Sequence, residues 1–313
     1  MKLDACHFIV TGVGGWLGRV TVEALAAMGG PEDDSRITAV GRHQGTLKLA
    51  CGRSMKMQPW NFLSHASFDD PVVVFHHAFV TKGQVGNQSE GSDRQANLDI
   101  QQMMAHFLTQ NNVAGLMIPS SGAVYAYLNK TVAENSPLAI YGKCKYEDEQ
   151  VFSEMAVRRG FRLVMPRIFN LSGAYINNHQ GYAISSMILN CLNQQTVLVH
   201  ADHPVWRSYY PADALLRMVI ELIGEQPAGT AAIFDTAGTE VVEIGELAQR
   251  CVRLLTNGTV KVERPFIKPG PSDYYVGNPT EIRSIENWLG LKPVSLDEQI
   301  METAHFLQQH RCC

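Results

Sequence analysis

The sequence lacks the features that mark membrane proteins and nucleic-acid-binding proteins. No stretch approaches the ~20 consecutive apolar residues of a membrane span, and the apolar run near the N-terminus is too short for a signal peptide. Charged residues make up only 18% of the chain and the formal net charge is −4, so basic residues are not in excess. We therefore expect a soluble, cytoplasmic protein that binds neither membranes nor nucleic acids.

The seven cysteines also lack a functional spacing. They include no Cys-x-x-Cys pair, and the histidines do not cluster at metal-ligand spacing. We expect reduced, mostly structural thiols and no metal site. Lipidation or redox chemistry is the alternative for the vicinal Cys312–Cys313 pair, but we assign it no function because chain termini commonly fray.

A regular alternation of two patterns fills the first half of the chain. Short apolar runs rich in β-branched residues predict strands at Phe8–Thr11, Ile37–Val40, Val72–Phe75, Leu116–Pro119 and Phe161–Met165. Apolar positions three to four residues apart predict helices at Trp16–Met28, Ala96–Gln110 and Tyr141–Arg159. Strands that alternate with helices predict an α/β fold with a doubly wound parallel sheet over residues 1–170.

The second half of the chain has a different pattern. Helices are predicted at Ile184–Leu192, Ala212–Ile223, Ile244–Leu255 and Leu296–Gln308. Loops rich in Gly, Pro and Asn, such as Lys268–Asp273, separate them. We predict a smaller, mainly substrate-binding lobe over residues 171–313, from which some segments return to the first sheet.

A glycine-rich turn follows the first predicted strand. In the run from Thr11 to Gly18, Gly12 permits a tight turn, Gly15 lets backbone N–H groups approach a pyrophosphate, and Gly18 allows close packing of helix on strand. Because the motif lies inside a strand–helix–strand pattern, we interpret it as a dinucleotide-binding turn rather than a purely structural one.

Arg42 follows the second predicted strand, where an acidic residue would bind the ribose hydroxyls of NAD. A guanidinium at this position suits the 2′-phosphate of NADP. The sequence therefore favours NADP as cofactor, with NAD as the alternative if Arg42 is a surface side chain or stacks on adenine.

Candidate catalytic residues lie in Pro119–Tyr125 and at the start of the third predicted helix. Tyr141 and Lys145 are one helical turn apart, so the Lys145 ammonium can approach both the Tyr141 phenol and a cofactor ribose. A cation there stabilises phenolate, which makes Tyr141 a proton acceptor in alcohol oxidation and a donor in carbonyl reduction. A serine hydroxyl near such a pair can donate a hydrogen bond to the reacting oxygen, and Ser121 is the candidate for this role.

These motifs together resemble one family. The Thr-Gly-x-x-Gly-x-x-Gly turn, the Ser-Ser-x-x-Val-Tyr segment and the Tyr-x-x-x-Lys pair are similar to those of the extended short-chain dehydrogenases/reductases, the NAD(P)-dependent epimerases and dehydratases, which have a Rossmann fold. The resemblance implies cofactor contacts for Thr11, Gly12, Gly15, Trp16, Leu17, Gly18, Arg42, Asn61, His76, Ala78, Asn97, Tyr141 and Lys145. His76 and His77 can equally be packed strand-end residues.

The resemblance extends towards the C-terminus. It implies that Asn170 and Arg207 contact a substrate diphosphate and that Tyr275 contacts the substrate, as Ser121 does. An ion pair of Arg207 with Asp213 or another carboxylate is the alternative. Glu281 departs from the pattern, because the family usually has a lysine there.

The same comparison narrows the reaction. Family members that dehydrate a sugar carry an acidic pair beside the catalytic serine, whereas this chain has Gly122 and Ala123. Since neither can transfer a proton, the prediction is a 4-ketoreductase or 4-epimerase of a nucleoside-diphosphate sugar.

Three further expectations follow. One alternative is a reductase of a small carbonyl compound without a nucleotide, and another is a non-catalytic dinucleotide-binding regulatory protein. The resemblance also implies a homodimer formed through the helices at Ala96–Gln110 and Tyr141–Arg159.

Overall fold

The computed structural model describes residues 3–28, 34–80 and 90–310, and the side chains of 90–92 are not described. Cys312 and Cys313 lie outside these ranges. The chain forms two compact units, of which the first comprises Met1–Arg167 and Val219–Ile233 and the second Ile168–Met218 and Phe234–Cys313. Their roles in binding dinucleotide and substrate remain predictions.

The strands within the described ranges are numbered in chain order. They are β1 (His7–Thr11), β2 (Ile37–Gly41), β3 (Gly45–Lys48), β4 (Ser54–Pro59), β5 (Val72–His76), β6 (Val113–Met117), β7 (Ser120–Ser121), β8 (Arg162–Ile168), β9 (Leu171–Ser172), β10 (Val197–Leu198), β11 (Val205–Arg207), β12 (Tyr210–Pro211), β13 (Ala231–Asp235), β14 (Val242–Glu243), β15 (Val262–Glu263) and β16 (Asp273–Tyr275).

The α-helices are numbered in the same way. They are α1 (Trp16–Met28), α2 (Glu90–Gln110), α3 (Ala123–Leu128), α4 (Pro137–Arg159), α5 (Ala183–Leu192), α6 (Ala212–Glu225), α7 (Ile244–Thr256), α8 (Pro279–Leu289) and α9 (Leu296–Gln309). Short 3₁₀ helices occupy Leu3–Ala5 and Trp60–Ser64. Within the part of the chain that is described, no helix is long and apolar enough to cross a bilayer.

One large sheet organises the first unit. Its strand order is β13-β8-β6-β5-β1-β2-β4-β3, with β7 beside β8. The chain winds outward from β1 in both directions, and β1 pairs in parallel with β2 and with β5. This arrangement confirms the predicted doubly wound sheet, except that β3 runs antiparallel to β4 at the edge. In such sheets, ligands bind beside the point where the strand order reverses, which here lies between β1 and β5.

The core of the first unit explains why its strands are continuous apolar runs. Every residue of β5 is buried, as are four of the five in β1, because helices pack against parallel strands. Phe107 of α2, Phe152 of α4 and Phe161 are fully buried in the same apolar cluster. Burying such side chains contributes about 1.5–3 kcal/mol each.

Local signals set the bounds of several helices. Helix α4 begins after Ser136, whose hydroxyl accepts a hydrogen bond from the Ala139 N–H, and Pro137 occupies its first turn. It ends at Gly160 in the left-handed conformation, with φ of 77°. A capping box between Ser295 and Glu298 begins α9 in the second unit.

The structure corrects one predicted strand. Strand β6 covers Val113–Met117 rather than Leu116–Pro119. The prediction missed the start of this strand because Ala114 and Gly115 have low strand propensity. Glycine is nevertheless needed here, since a Cβ on Gly115 would lie 2.4 Å from Cγ2 of Ile223. The contact with α6 therefore requires glycine within this strand.

Helices and small sheets make up the second unit. Ile184 and Ile188 of α5, Leu247 and Cys251 of α7, and Ile300 of α9 are fully buried there. Two short sheets are β14-β11-β16 and β12-β9. They carry Arg207 and Tyr275 on adjacent parallel strands, where the two residues are register partners.

Candidate active site

The glycine turn between β1 and α1 has the geometry expected of a phosphate-binding turn. Gly12 has φ of +69°, a conformation that favours glycine, and its carbonyl accepts a hydrogen bond from the Gly15 N–H at 2.9 Å. A Cβ on Gly18 would lie 2.3 Å from the Gly12 oxygen, so α1 starts in direct contact with the turn. Substituting Gly12 or Gly18 would therefore displace backbone.

The same turn leaves room for a ligand. Gly14 is exposed, and a Cβ built on it would meet no atom within 4 Å. Backbone N–H groups and the positive end of the 13-residue helix α1 converge here. The glycine turn thus fits the pyrophosphate of a dinucleotide.

The end of β5 is held tightly to the glycine turn. Thr11 Oγ1 lies 2.8 Å from His76 Nδ1 and accepts a hydrogen bond from the Ala78 N–H at 3.3 Å. Thr21 Oγ1 lies 2.8 Å from His77 Nε2. Burial, aided by the charge of Lys145, lowers the pKa of His76 and of His77 to about 3, so both rings are neutral at pH 7. His76 and Ala78 therefore have packing roles beside their predicted cofactor contacts.

Three other predicted cofactor residues differ in their surroundings. Arg42 is exposed directly after β2, and Asn61 is exposed in the Trp60–Ser64 turn. Asn97 of α2 is buried, and its amide accepts from the Val80 N–H at 2.8 Å and donates to the Val80 carbonyl at 3.1 Å. The structure thus gives Asn97 the role of anchoring the segment after β5, while its cofactor contact remains a prediction.

The predicted catalytic serine lies where β7 turns into α3. Ser121 is 6% exposed, and its Oγ accepts a hydrogen bond from the Ala123 N–H at 3.2 Å. This bond leaves the hydroxyl hydrogen of Ser121 to be donated to a ligand. The neighbouring Ser120 donates instead to Glu149 at 2.6 Å.

Contacts with a backbone carbonyl and with an aromatic ring hold Lys145, a member of the predicted catalytic set. Its Nζ donates to the Pro119 carbonyl at 2.9 Å and lies 3.6 Å from the centroid of the Phe79 ring. Burial lowers the pKa of Lys145 to about 8, although the Asp148 carboxylate opposes the shift. The ring of Tyr141, one turn earlier on α4, meets Phe79 edge-on at 5.6 Å between centroids.

Gly142 allows α4 to approach the serine turn. A Cβ at this position would lie 2.2 Å from the Ala123 carbonyl oxygen and 3.2 Å from Tyr127 Cβ. The backbone of α4 is therefore close to α3 between Tyr141 and Lys145. Glycine costs helix stability here, but it brings the predicted acid–base pair next to the Ser121 segment.

Sequence reasoning missed an ion pair between the partly buried Arg167 and the buried Glu149. Arg167 of β8 donates to both carboxylate oxygens of Glu149, at 2.8 and 2.7 Å, and to the Tyr125 hydroxyl at 3.0 Å. Glu149 is 1% exposed, and the bidentate bond raises the pKa of Arg167 above its ordinary value. The sequence signal that could have indicated this pair is Arg167 itself, a charged residue near the end of the apolar strand β8, where a buried or partly buried charge needs a partner.

The predicted substrate residues lie together in the second unit. Asn170 Nδ2 donates to the Tyr275 carbonyl at 3.2 Å, and the Arg207 guanidinium lies 5.9 Å from the Tyr275 ring centroid. Arg207 also forms an ion pair with Asp273 at 2.7 Å. Asp213 pairs instead with Arg217. The role of Asn170, Arg207 and Tyr275 in substrate binding remains a prediction.

Solved structures share this fold over almost their whole length. The UDP-N-acetylglucosamine 4-epimerase of Methanobrevibacter ruminantium is 20% identical, with a TM-score of 0.75 and 99% of each chain covered. The UDP-glucuronic acid 4-epimerase of Bacillus cereus is 17% identical, with a TM-score of 0.72 and coverage of 97% of this chain and 99% of that one. The UDP-glucose 4-epimerase of Brucella ovis is 21% identical, with a TM-score of 0.70 and coverage of 96% of this chain and 98% of that one. At these identities the likeness establishes the fold.

Comparison with curated protein sequences gives no significant match. The model of the NAD dependent epimerase/dehydratase family, in contrast, matches residues 8–233, which is more than half of the chain. The matched range contains the glycine turn and both candidate catalytic motifs, so the family resemblance drawn from those residues is confirmed. The chain therefore belongs to the NAD dependent epimerase/dehydratase family, a family of enzymes.

Proposed function

We propose that the protein is a 4-epimerase of a nucleoside-diphosphate sugar. The observation that carries the proposal is the grouping of Lys145, Tyr141 and the Ser121 segment in a chain of this family. The three structures compared above, all named as 4-epimerases of UDP-sugars, support the substrate class. Arg207 supports it further, because a guanidinium paired with a half-exposed carboxylate can exchange that partner for a phosphate.

In the proposed reaction, Tyr141 moves the proton. Its phenolate oxygen removes the proton of the sugar C4 hydroxyl and later returns it, while Ser121 donates a hydrogen bond to the same oxygen. The Lys145 ammonium stabilises the phenolate form. The glycine turn would hold the pyrophosphate of a nicotinamide dinucleotide, and that cofactor would supply the hydride chemistry at C4.

Dehydration and net reduction are the competing reactions. Gly122 and the buried Ala123 follow Ser121 and carry no acid or base, which disfavours a 4,6-dehydratase. Reduction of a 4-keto sugar is the second candidate, because the exposed Arg42 suits NADP, a cofactor that reductases exchange at each turnover.

Two parallel assays distinguish these functions. The protein is incubated with UDP-glucose or UDP-N-acetylglucosamine in the presence of NAD and, separately, of NADP, and the C4 epimers are separated by chromatography. In the second assay, NADPH and a nucleotide 4-keto-6-deoxysugar are added, and loss of reduced-nicotinamide absorbance is followed. We expect epimer interconversion without net cofactor consumption. Consumption of NADPH alone would identify a reductase, and inactivity in both assays would contradict a nucleotide-sugar substrate.

The family is NAD-dependent, and preference for NADP remains our proposal on the basis of Arg42. Replacing Arg42 with alanine should weaken NADP binding by about 10- to 100-fold, because a charged hydrogen bond to the 2′-phosphate is lost. The dissociation constant for NAD should change little. Lys56→Ala, at another exposed cation of the same unit, serves as control. Equal affinities of wild type and Arg42→Ala for NADP would make Arg42 an ordinary surface residue.

We also retain the proposed homodimer through α2 and α4. It rests on the family resemblance, and sedimentation equilibrium of the purified protein tests it directly.

A further inference from the structure

Phe79 contacts both members of the predicted acid–base pair. The Lys145 ammonium lies 3.6 Å from the centroid of its ring, and the Tyr141 ring meets it edge-on at 5.6 Å. Phe79 lies three residues beyond the end of β5, close to where Asn97 anchors Val80. The side chain is apolar, so it transfers no proton, and its contacts serve no step of the mechanism above.

We propose that Phe79 is a displaceable cap on Lys145, and that its ring competes with the dinucleotide for the Lys145 ammonium. The proposal rests on the proposed function, in which that ammonium acts on the cofactor ribose and on Tyr141. It makes Phe79 a positioning residue, since it acts through Lys145.

The geometry of the ammonium explains the competition. An ammonium group has three N–H donors, and one of them is bonded to the Pro119 carbonyl. The Phe79 ring covers a second direction at a distance typical of a cation–π contact. Lys145 is only 4% exposed, so water supplies little replacement for a lost partner. A ribose hydroxyl that binds Nζ from the ring side must therefore move the ring.

Such a cap lowers the apparent affinity for the dinucleotide. If the capped form predominates, the measured dissociation constant is raised by the ratio of capped to uncapped protein. Cation–π contacts of this kind correspond to about 2- to 30-fold in an equilibrium constant. Removing the aromatic ring should tighten dinucleotide binding, whereas damage to the fold would weaken it.

The first test measures dinucleotide dissociation constants by titration calorimetry with NAD and with NADP. Phe79→Ala and Phe79→Leu should each bind the preferred dinucleotide about 2- to 30-fold more tightly than wild type. Phe79→Tyr, which keeps the aromatic face, should resemble wild type. Unchanged or weaker binding in Phe79→Leu would overturn the proposal, because leucine fills similar space without a π face.

A double-mutant comparison tests whether Phe79 affects dinucleotide binding through the Lys145 ammonium. In a Lys145→Met background, Phe79→Leu should leave the dinucleotide dissociation constant unchanged, because no ammonium remains to be capped. The same tightening in both backgrounds would show that Phe79 acts by steric exclusion alone and would overturn the proposal.

Chemical labelling tests the cap without any cofactor. Acetic anhydride is applied in limiting amount, and the labelling of Lys145 is measured by mass spectrometry relative to Lys143, whose side chain is 43% exposed. Labelling of Lys145 should increase in Phe79→Ala and not in Phe79→Tyr. Equal labelling of Lys145 in wild type and Phe79→Ala would overturn the cap. If wild type bound neither dinucleotide, the proposed function would fail, and the labelling would still decide whether the ring covers Lys145.

Discussion

Replacing Tyr141 with phenylalanine is expected to lower the turnover number about 10²- to 10⁴-fold, the usual contribution of a positioned acid–base group. The substitution removes one oxygen and leaves the edge-on contact of the ring with Phe79 in place. The dinucleotide dissociation constant should therefore change little. Steady-state kinetics in the assay that shows activity, together with calorimetric titration, measure the two quantities.

Tyr146→Phe is the matched control for this prediction. Tyr146 lies on the same helix, and its ring packs against Tyr127 at 5.9 Å between centroids. Tyr146 belongs to no predicted catalytic set, so loss of its hydroxyl group should leave the turnover number near that of wild type. Retention of most activity by Tyr141→Phe, or an equal loss in both variants, would contradict the assignment of Tyr141 as acid and base.

Replacing Arg167 with methionine is expected to lower the free energy of unfolding by about 3–5 kcal/mol, the usual loss when one partner of a buried ion pair is removed. The reason is that Glu149 is 1% exposed and would lose both hydrogen bonds from Arg167 while it keeps the one from the Ser120 hydroxyl. Urea unfolding followed by circular dichroism measures the change. Because Glu149 follows Lys145 by one helical turn, we also expect reduced activity in the folded variant.

Two variants control this experiment. Arg217→Met removes a surface ion pair with Asp213, in which the side chains are 70% and 41% exposed, and should change stability by less than about 1 kcal/mol. The double variant Arg167→Met/Glu149→Met removes both charges of the pair and should recover part of the lost stability. If Arg167→Met and Arg217→Met lowered the free energy of unfolding by similarly small amounts, the predicted contribution of the Arg167–Glu149 pair to stability would be contradicted.

Elements with strong local signals were predicted well from the sequence. Helix α1 covers the predicted Trp16–Met28, because its apolar face and the preceding glycine turn both specify where it begins. The prediction for α4 began at Tyr141, four residues late, although Ser136 and Pro137 carry the signal of a helix start. The short strand β3, the antiparallel edge and the six-residue helix α3 escaped prediction because they lack a sustained period.

In the candidate site, too, relations between residues close together in the chain were predicted, and contacts between distant residues were not. The sequence placed Tyr141 and Lys145 on one helical face and Ser121 at a strand end, since these relations depend on residues close together in the chain. It did not reveal the partners that the folded chain supplies. The ion pair of Arg207 joins it to Asp273, 66 residues away, and the pair of Arg167 joins it to Glu149. For Arg207, the structure has the alternative named from the sequence, an ion pair with a carboxylate.

By itself, the sequence determined the family, the winding of strands and helices and the glycine turn, and it named Tyr141 and Lys145 as the candidate acid–base pair. These are encoded by periodicity and by short motifs whose chemistry is local. The tertiary structure alone decided that Phe79 covers the Lys145 ammonium, that Gly142 allows α4 to approach Ala123, and that Glu149 forms an ion pair with Arg167. The physical reason is that burial and charge pairing depend on distances between elements, which packing of the whole core sets and no local pattern encodes.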